Sequence, residues 1–307
     1  MFTAARRALA AVLRPQGLAG VAVEAAWVGV HLALYPWGLL EDRLDEAAGH
    51  GVSHLPPVQR GLLVHDVEAA GTPIILIHGG VDNRSIFTVL RRALRGRGFS
   101  RTYALNYSPL TADIPSVAQR LAESIEEVCA ETGYERVHII GHSMGGIIGR
   151  YYVQRLGGDV RVHTLVTLGT PHQGTFGARF IPWPVIRQLR YASPVLGELA
   201  EPAPHCRTRF IAIWSDLDQI VVPQRNARIS HPDLRSRNVL FRGIGHMSLP
   251  VDPRVAREIA FALAQLDHDG TQITVGTTSI ASTTGRRQAA DEVVGRGAQP
   301  ASGLLPG

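Results

Sequence analysis

Five residues, Gly141-His142-Ser143-Met144-Gly145, carry the strongest chemical signal in the sequence. They fit Gly-x-Ser-x-Gly, the spacing of a serine nucleophile presented on a tight turn from a strand into a helix. The glycines answer a need for space: a side chain at Gly141 or Gly145 is expected to collide across that turn. The flanking sequence supplies both arms. Arg136 to Ile140 reads as a short strand and Gly146 to Arg155 as a helix. That helix would aim its N-terminus, with its partial positive charge, at a developing oxyanion.

A serine hydroxyl is a weak nucleophile unless a base takes its proton. The sequence has 13 histidines, so position must select the base. His246, in Gly243-Ile-Gly-His-Met-Ser-Leu249, follows an apolar strand and precedes the last helix. His231 competes but has no strand directly before it. His142 and His172 come too early for the order serine, acid, histidine. Two acids, Asp216 and Asp218, follow the strand ending at Trp214, and position in the strand-to-loop turn favours Asp218. One of the pair is expected only to cap local backbone. His78-Gly79-Gly80 follows the first strong strand and allows close backbone approach to a substrate. Met144 and Gly80 are the expected N–H donors to an oxyanion.

Together these pieces resemble the α/β-hydrolase superfamily, and its bacterial lipase and esterase branch in particular. The resemblance covers about residues 60–266 and includes a fifth run, Leu168-Gly-Thr-Pro-His-Gln-Gly-Thr175. That run looks like one shared by triacylglycerol lipases and related acyl hydrolases. In the family the acid precedes a hydrophobic pair and a proline, as in Asp218-Gln-Ile-Val-Val-Pro223, which strengthens Asp218 over Asp216. The family also places an oxyanion donor after His-Gly, hence Gly80. The implied chemistry is acyl transfer: Ser143 attacks an ester carbonyl, His246 moves the protons, and Asp218 orients His246. The implied substrate is a fatty-acyl ester. An acyltransferase or thioesterase could use the same residues, and a non-catalytic, membrane-tethered binding protein is a third alternative. The family's calcium site has no counterpart that can be carried over, so neither metal nor cofactor is expected.

The elements that must position these residues alternate in type. Strands are expected at 72–78, 101–107, 136–140, 162–168, 208–214 and 238–242, and helices at 114–131, 145–155 and 255–266. Such alternation implies βαβ units and a mostly parallel sheet flanked by helices. Val117, Leu121, Ile125 and Val128 recur at helical spacing and should face the core. An insertion at about 174–204, rich in Phe, Trp, Ile and Leu, is expected to form a small cap that packs on the domain and meets acyl chains. Arg91, Arg92, Arg95 and Arg97 read as the solvated face of a helix.

The 307 residues suit one catalytic domain, expected at 48–267, with an extension at each end. Residues 268–307 are rich in Gly, Thr, Ser and Ala without a period, and are expected to be disordered. In residues 1–47 an apolar stretch runs from Gly17 to Leu40 behind Arg6, Arg7 and Arg14. It is long enough to cross a bilayer. Glu24 and His31 inside it are costly in hydrocarbon, and Pro36 would kink the helix. Spanning, lying at an interface or in a dimer, and packing on the domain all remain open. The expected location is membrane-associated, with cytoplasmic as the alternative.

Net charge is +5, and all 31 basic residues are Arg. They are interspersed with acids, which excludes a nucleic-acid-binding face. Expected partners are therefore an acyl ester or lipid and a membrane surface. Cys129 and Cys206 form no metal or redox spacing.

Overall fold

The computed structural model describes residues 22, 24–30, 33, 67–80, 82–108 and 113–264. All of them fall within the unit formed by residues 1–264. The expected tail after 267 and most of the reading of residues 1–47 lie outside the described residues.

Six strands form one parallel sheet: β1 (Ile74–Ile77), β2 (Thr102–Leu105), β3 (Val137–His142), β4 (Val162–Leu168), β5 (Arg209–Ser215) and β6 (Arg235–Phe241). Their order is β2-β1-β3-β4-β5-β6, and every pairing is parallel. β1 and β3 are buried along their whole length. Strands covered on both faces cannot alternate in polarity, so they read as continuous apolar runs. The two edge strands, β2 and β6, are only partly buried, and β6 departs further from the expected bounds. It starts at Arg235, three residues before the strand expected from Asn238. As an edge strand it is half exposed, and Arg235-Ser-Arg237 gave no apolar signal.

Residues 24–30 are helical, and from residue 67 on the helices are α1 (Val67–Gly71), α2 (Thr88–Arg95), α3 (Ile114–Thr132), α4 (Met144–Arg155), α5 (Pro184–Arg187), α6 (Pro194–Glu198) and α7 (Pro253–Leu263). α3 begins where the Asp113 carboxylate accepts the Ser116 N–H at 2.8 Å. It ends at Gly133, whose φ of 74° suits a residue without Cβ. Its Val117, Leu121 and Ile125 are fully buried, each stabilising by about 1.5–3 kcal/mol. Replacing Leu121 by Ala would cost about 2–5 kcal/mol. α2 buries Leu90 and Leu94 and turns Arg92 to solvent. α7 starts at Pro253, two residues before the expected helix, with Asp252 as its cap. Among the described residues no helix is long and apolar enough to cross a membrane.

The register levels the C-terminal ends of the central strands. Ile77 pairs with Gly141, His142 with Leu168, and Leu168 with Ile213. The chain runs outward from β1 to β2, then returns past β1 to β3. The order therefore reverses between β1 and β3, where doubly wound sheets open a crevice beyond their strand ends. His78-Gly79-Gly80 and Ser143 are the residues that leave those two ends.

Candidate active site

β3 ends at His142 and α4 begins at Met144, so Ser143 alone makes the turn. Its backbone sits at φ 52°, ψ −121°, a conformation that costs a non-glycine residue roughly 1–3 kcal/mol. The Ser143 N–H donates to the Leu168 carbonyl at 2.8 Å, and the Gly146 N–H donates to the Ser143 carbonyl at 3.1 Å. A Cβ on Gly141 would lie 2.5 Å from the Gly146 nitrogen, across the turn as expected. At Gly145 the neighbour differs: its Cβ would lie 2.1 Å from the Ile77 carbonyl, so this glycine lets α4 approach β1. With the Ser143 N–H engaged by β4, the next amide is that of Met144. It belongs to the first helical turn, where amides have no acceptor within the helix.

His246 and Asp218 meet where β5 and β6 run out. The Asp218 Oδ2 atom lies 2.8 Å from His246 Nδ1, and both side chains are buried. Asp218 Oδ1 accepts the Ile220 and Val221 N–H groups at 2.9 and 2.8 Å, which fixes the carboxylate. Asp216 is placed elsewhere: it accepts the Gly243 N–H at 2.9 Å and is half-buried. Gly169, with φ 56°, leaves room for the pair, since a Cβ there would lie 2.9 Å from Asp218 Oδ2 and 3.0 Å from His246 Nδ1. Burial opposes the imidazolium of His246, but the charges of Asp218, Asp82 and Glu24 and the Asp218 hydrogen bond outweigh it. The pKa is raised above the usual 6.5.

A second histidine–aspartate pair lies next to the first. His142 Nδ1 is 2.9 Å from Asp82 Oδ2, both fully enclosed. Its Nε2 reaches the His246 carbonyl at 3.2 Å, and the two imidazole centroids are 4.8 Å apart. His246 is thereby held against the residue preceding Ser143. The sequence reading set His142 aside on chain order. Only the parallel pairing of β1 with β3 brings Asp82, five residues past β1, to His142 at the end of β3, and no spacing rule signals that.

The glycine loop is anchored by Tyr107, which the sequence reading did not single out. The Tyr107 hydroxyl donates to the His78 carbonyl at 2.7 Å, and its ring stacks on the His78 imidazole at 4.2 Å. The Tyr107 N–H points to His78 Nε2 at 3.3 Å, while Nδ1 faces the Gly79 carbonyl at 2.9 Å. One nitrogen must accept and the other donate, so this imidazole is neutral; burial pushes its pKa down accordingly. Gly79 packs on the Ser143 turn, since a Cβ there would lie 3.1 Å from Ser143 Cβ. Gly80 lies beside the Met144 side chain and under Ile186 of α5.

The 174–204 insertion therefore roofs the loop. Val185, Ile186, Leu189, Val195 and Leu196 join the core, while Phe180 is 71% and Trp183 36% exposed. Phe176 and Phe180 meet edge to face at 5.3 Å. The insertion is tied to the Asp218 loop: the Thr175 hydroxyl donates to the Ile220 carbonyl at 2.6 Å and the Tyr191 hydroxyl to the Val222 carbonyl at 2.8 Å. Cys129 and Cys206 are both free.

A family model described as palmitoyl protein thioesterase matches residues 73–203. A triacylglycerol lipase of Burkholderia plantarii is 29% identical over 153 residues, 47% of this chain and 41% of the lipase. A triacylglycerol lipase of Pseudarthrobacter phenanthrenivorans is 31% identical over 117 residues, 36% of each chain. The chain spans less than half the length of these relatives. Among solved structures, Bacillus licheniformis lipase BlEst2 in its mature form superposes with a TM-score of 0.54 at 15% identity, covering 64% of this chain and 92% of that one. At that identity the likeness speaks to the fold.

Proposed function

We propose that this chain, which is similar to lipases and esterases of the α/β-hydrolase superfamily, hydrolyses carboxylic esters of fatty acids through an acyl-enzyme on Ser143. The observation that carries this reading is a juxtaposition. A serine in a strained turn stands at the switch point of the sheet, next in the chain to His142, whose ring lies 4.8 Å from that of His246, and His246 in turn is paired with buried Asp218 at 2.8 Å.

His246 uses Nδ1 for Asp218, which leaves Nε2 for proton transfer. Nε2 takes the Ser143 proton as Oγ forms a bond to the ester carbonyl carbon. The carbonyl oxygen becomes an oxyanion, and the N–H groups of Met144 and Gly80 stabilise it; such a donor contributes about 10²–10³ in kcat. The bond to the alcohol oxygen breaks, and His246 returns the proton to that oxygen. Water then attacks the acyl carbon and gives a proton to His246. The acyl–Oγ bond breaks, Ser143 regains its proton, and the acid leaves. Asp218 keeps the ring oriented and stabilises its charged form throughout.

The acyl preference rests on the insertion. Phe176, Phe180 and Trp183 of the insertion, and Ile220 of the loop it is tied to, expose apolar surface at 37%, 71%, 36% and 51%. Single exposed apolar residues need no explanation, whereas several on one insertion, two of them in ring contact, suit an alkyl chain. The helical residues 24–30 also expose Val28 and Val30, which favours seating at a lipid surface. Flotation with vesicles tests that: full-length protein should float with them.

A thioester reading has its own support, the palmitoyl protein thioesterase match over 73–203. Both leaving groups use the same acyl-enzyme. The deciding experiment compares p-nitrophenyl esters of increasing acyl length with palmitoyl-CoA, alongside fluorophosphonate labelling. We expect labelling at Ser143 and kcat/KM that rises with ester chain length. Absence of labelling in the wild type would sink the serine reading, and a preference for palmitoyl-CoA would move the function to the thioesterase alternative.

A further inference from the structure

Residues 22, 24–30 and 33 are helical, and all of them but Glu24 are apolar. In an amphipathic surface helix the apolar face is buried and the acid points to water. Here the arrangement is reversed. Val28 and Val30 are 38% and 43% exposed, whereas Glu24 is only 9% exposed.

The carboxylate is buried in the turn that carries His246. Oε1 accepts the Met247 N–H at 2.7 Å. Oε2 accepts the Ser248 N–H at 2.9 Å and the Ser248 hydroxyl at 2.6 Å. Two successive backbone N–H groups and a hydroxyl thus converge on one anion, as in backbone nests. The other side of the turn is shaped for the same guest: a Cβ on Gly245 would lie 2.2 Å from Glu24 Oε2. Residues 245, 247 and 248 bracket His246 and all accommodate an acid more than 200 residues away in the chain.

We propose that Glu24 is a positioning residue for His246, so that docking of the N-terminal helix through this carboxylate sets the geometry of the proton-transfer step. This rests on reading His246 as the base. The loop between β6 and α7 has no regular hydrogen-bonding ladder of its own, and the carboxylate supplies the acceptors that its Met247 and Ser248 amides use. The same charge acts on the imidazole. The acids facing His246 are Asp218, Asp82 and Glu24, with the His142 ring as the other titratable neighbour. Removing one acid should weaken the imidazolium and move its titration to lower pH.

The test uses full-length protein and a water-soluble p-nitrophenyl ester. Glu24→Gln keeps the shape but turns an NH₂ toward one donor, and we expect kcat about tenfold lower. Glu24→Ala should lose about 30–100-fold, as expected for a displaced catalytic group, with KM within about twofold. Both should shift the acidic limb of kcat/KM to lower pH. Gly245→Ala supplies the second route, because it displaces the carboxylate without removing it. Its loss should largely vanish in the Glu24→Ala background, since residues that act as one unit are not additive. Unchanged kcat and pH limb in Glu24→Gln, or additive losses in the double variant, overturn the proposal even if Tm falls. Should Glu24→Ala not fold, the pH limb of Glu24→Gln decides alone. If wild-type protein neither hydrolyses esters nor labels at Ser143, the hydrolase reading itself has failed, and the role of Glu24 with it.

Discussion

The two histidine–aspartate pairs invite comparison, because they are almost the same object. Asp218–His246 and Asp82–His142 each hold a carboxylate 2.8–2.9 Å from Nδ1, and each is buried. They differ in what the second nitrogen reaches. His142 uses Nε2 on the carbonyl of His246 at 3.2 Å and so holds backbone. His246 has its backbone held from outside, by His142 and by the loop contacts of Glu24. A buried acid–imidazole pair is therefore not by itself a sign of catalysis. Its surroundings decide whether the imidazole is a strut or a base.

This contrast yields predictions that run from the largest effect to the smallest. Ser143→Ala should abolish fluorophosphonate labelling and lower kcat by at least about 10⁴-fold, whichever pair is intact. Asp218→Asn should lower kcat about 10³–10⁴-fold, the size of effect an acid has when it sets the tautomer of a base. Asp216→Asn, its neighbour in sequence, should change kcat less than about threefold, because its contact is with the Gly243 backbone. The reverse ranking would assign the acid to Asp216. Asp82→Asn tests the strut: a loss of about 10–100-fold in kcat, with labelling retained, is expected of displaced geometry. A loss equal to that of Asp218→Asn would make the two pairs functionally equivalent and erase the distinction.

A pH profile sharpens the comparison further. The base must be neutral to accept a proton. With the His246 pKa raised above 6.5 by its acidic neighbours, kcat/KM should fall as pH drops through a single limb lying above 6.5. Asp82→Asn removes one of those charges and should move the limb to lower pH. A limb that stays in place would mean that Asp82 acts on position alone. The smallest expected effect is at the surface: Phe180→Ser should raise KM for long-chain esters a few-fold and leave short-chain esters unchanged, since about one alkyl contact is lost.

The sequence alone determined much of this. Aliphatic runs such as Ile74-Ile-Leu-Ile77 read as buried strands because they are short, continuous and rich in β-branched residues. Gly141 and Gly145 marked a crowded turn, and the strand and helix around Ser143 are local in sequence, so their order could be read directly. The local arrangement of Asp218 was legible too, since its Oδ1 bonds fall two and three residues on. What only the tertiary structure decided is every contact across strands. Asp82 meets His142 over 60 positions, and Glu24 meets Ser248 over 224. Side-chain periodicity reports which face of an element is buried, but not which distant residue will lie against it. For that reason Glu24 looked in the sequence like a costly charge in an apolar helix, and in the folded chain it is the acceptor that the histidine loop is built around.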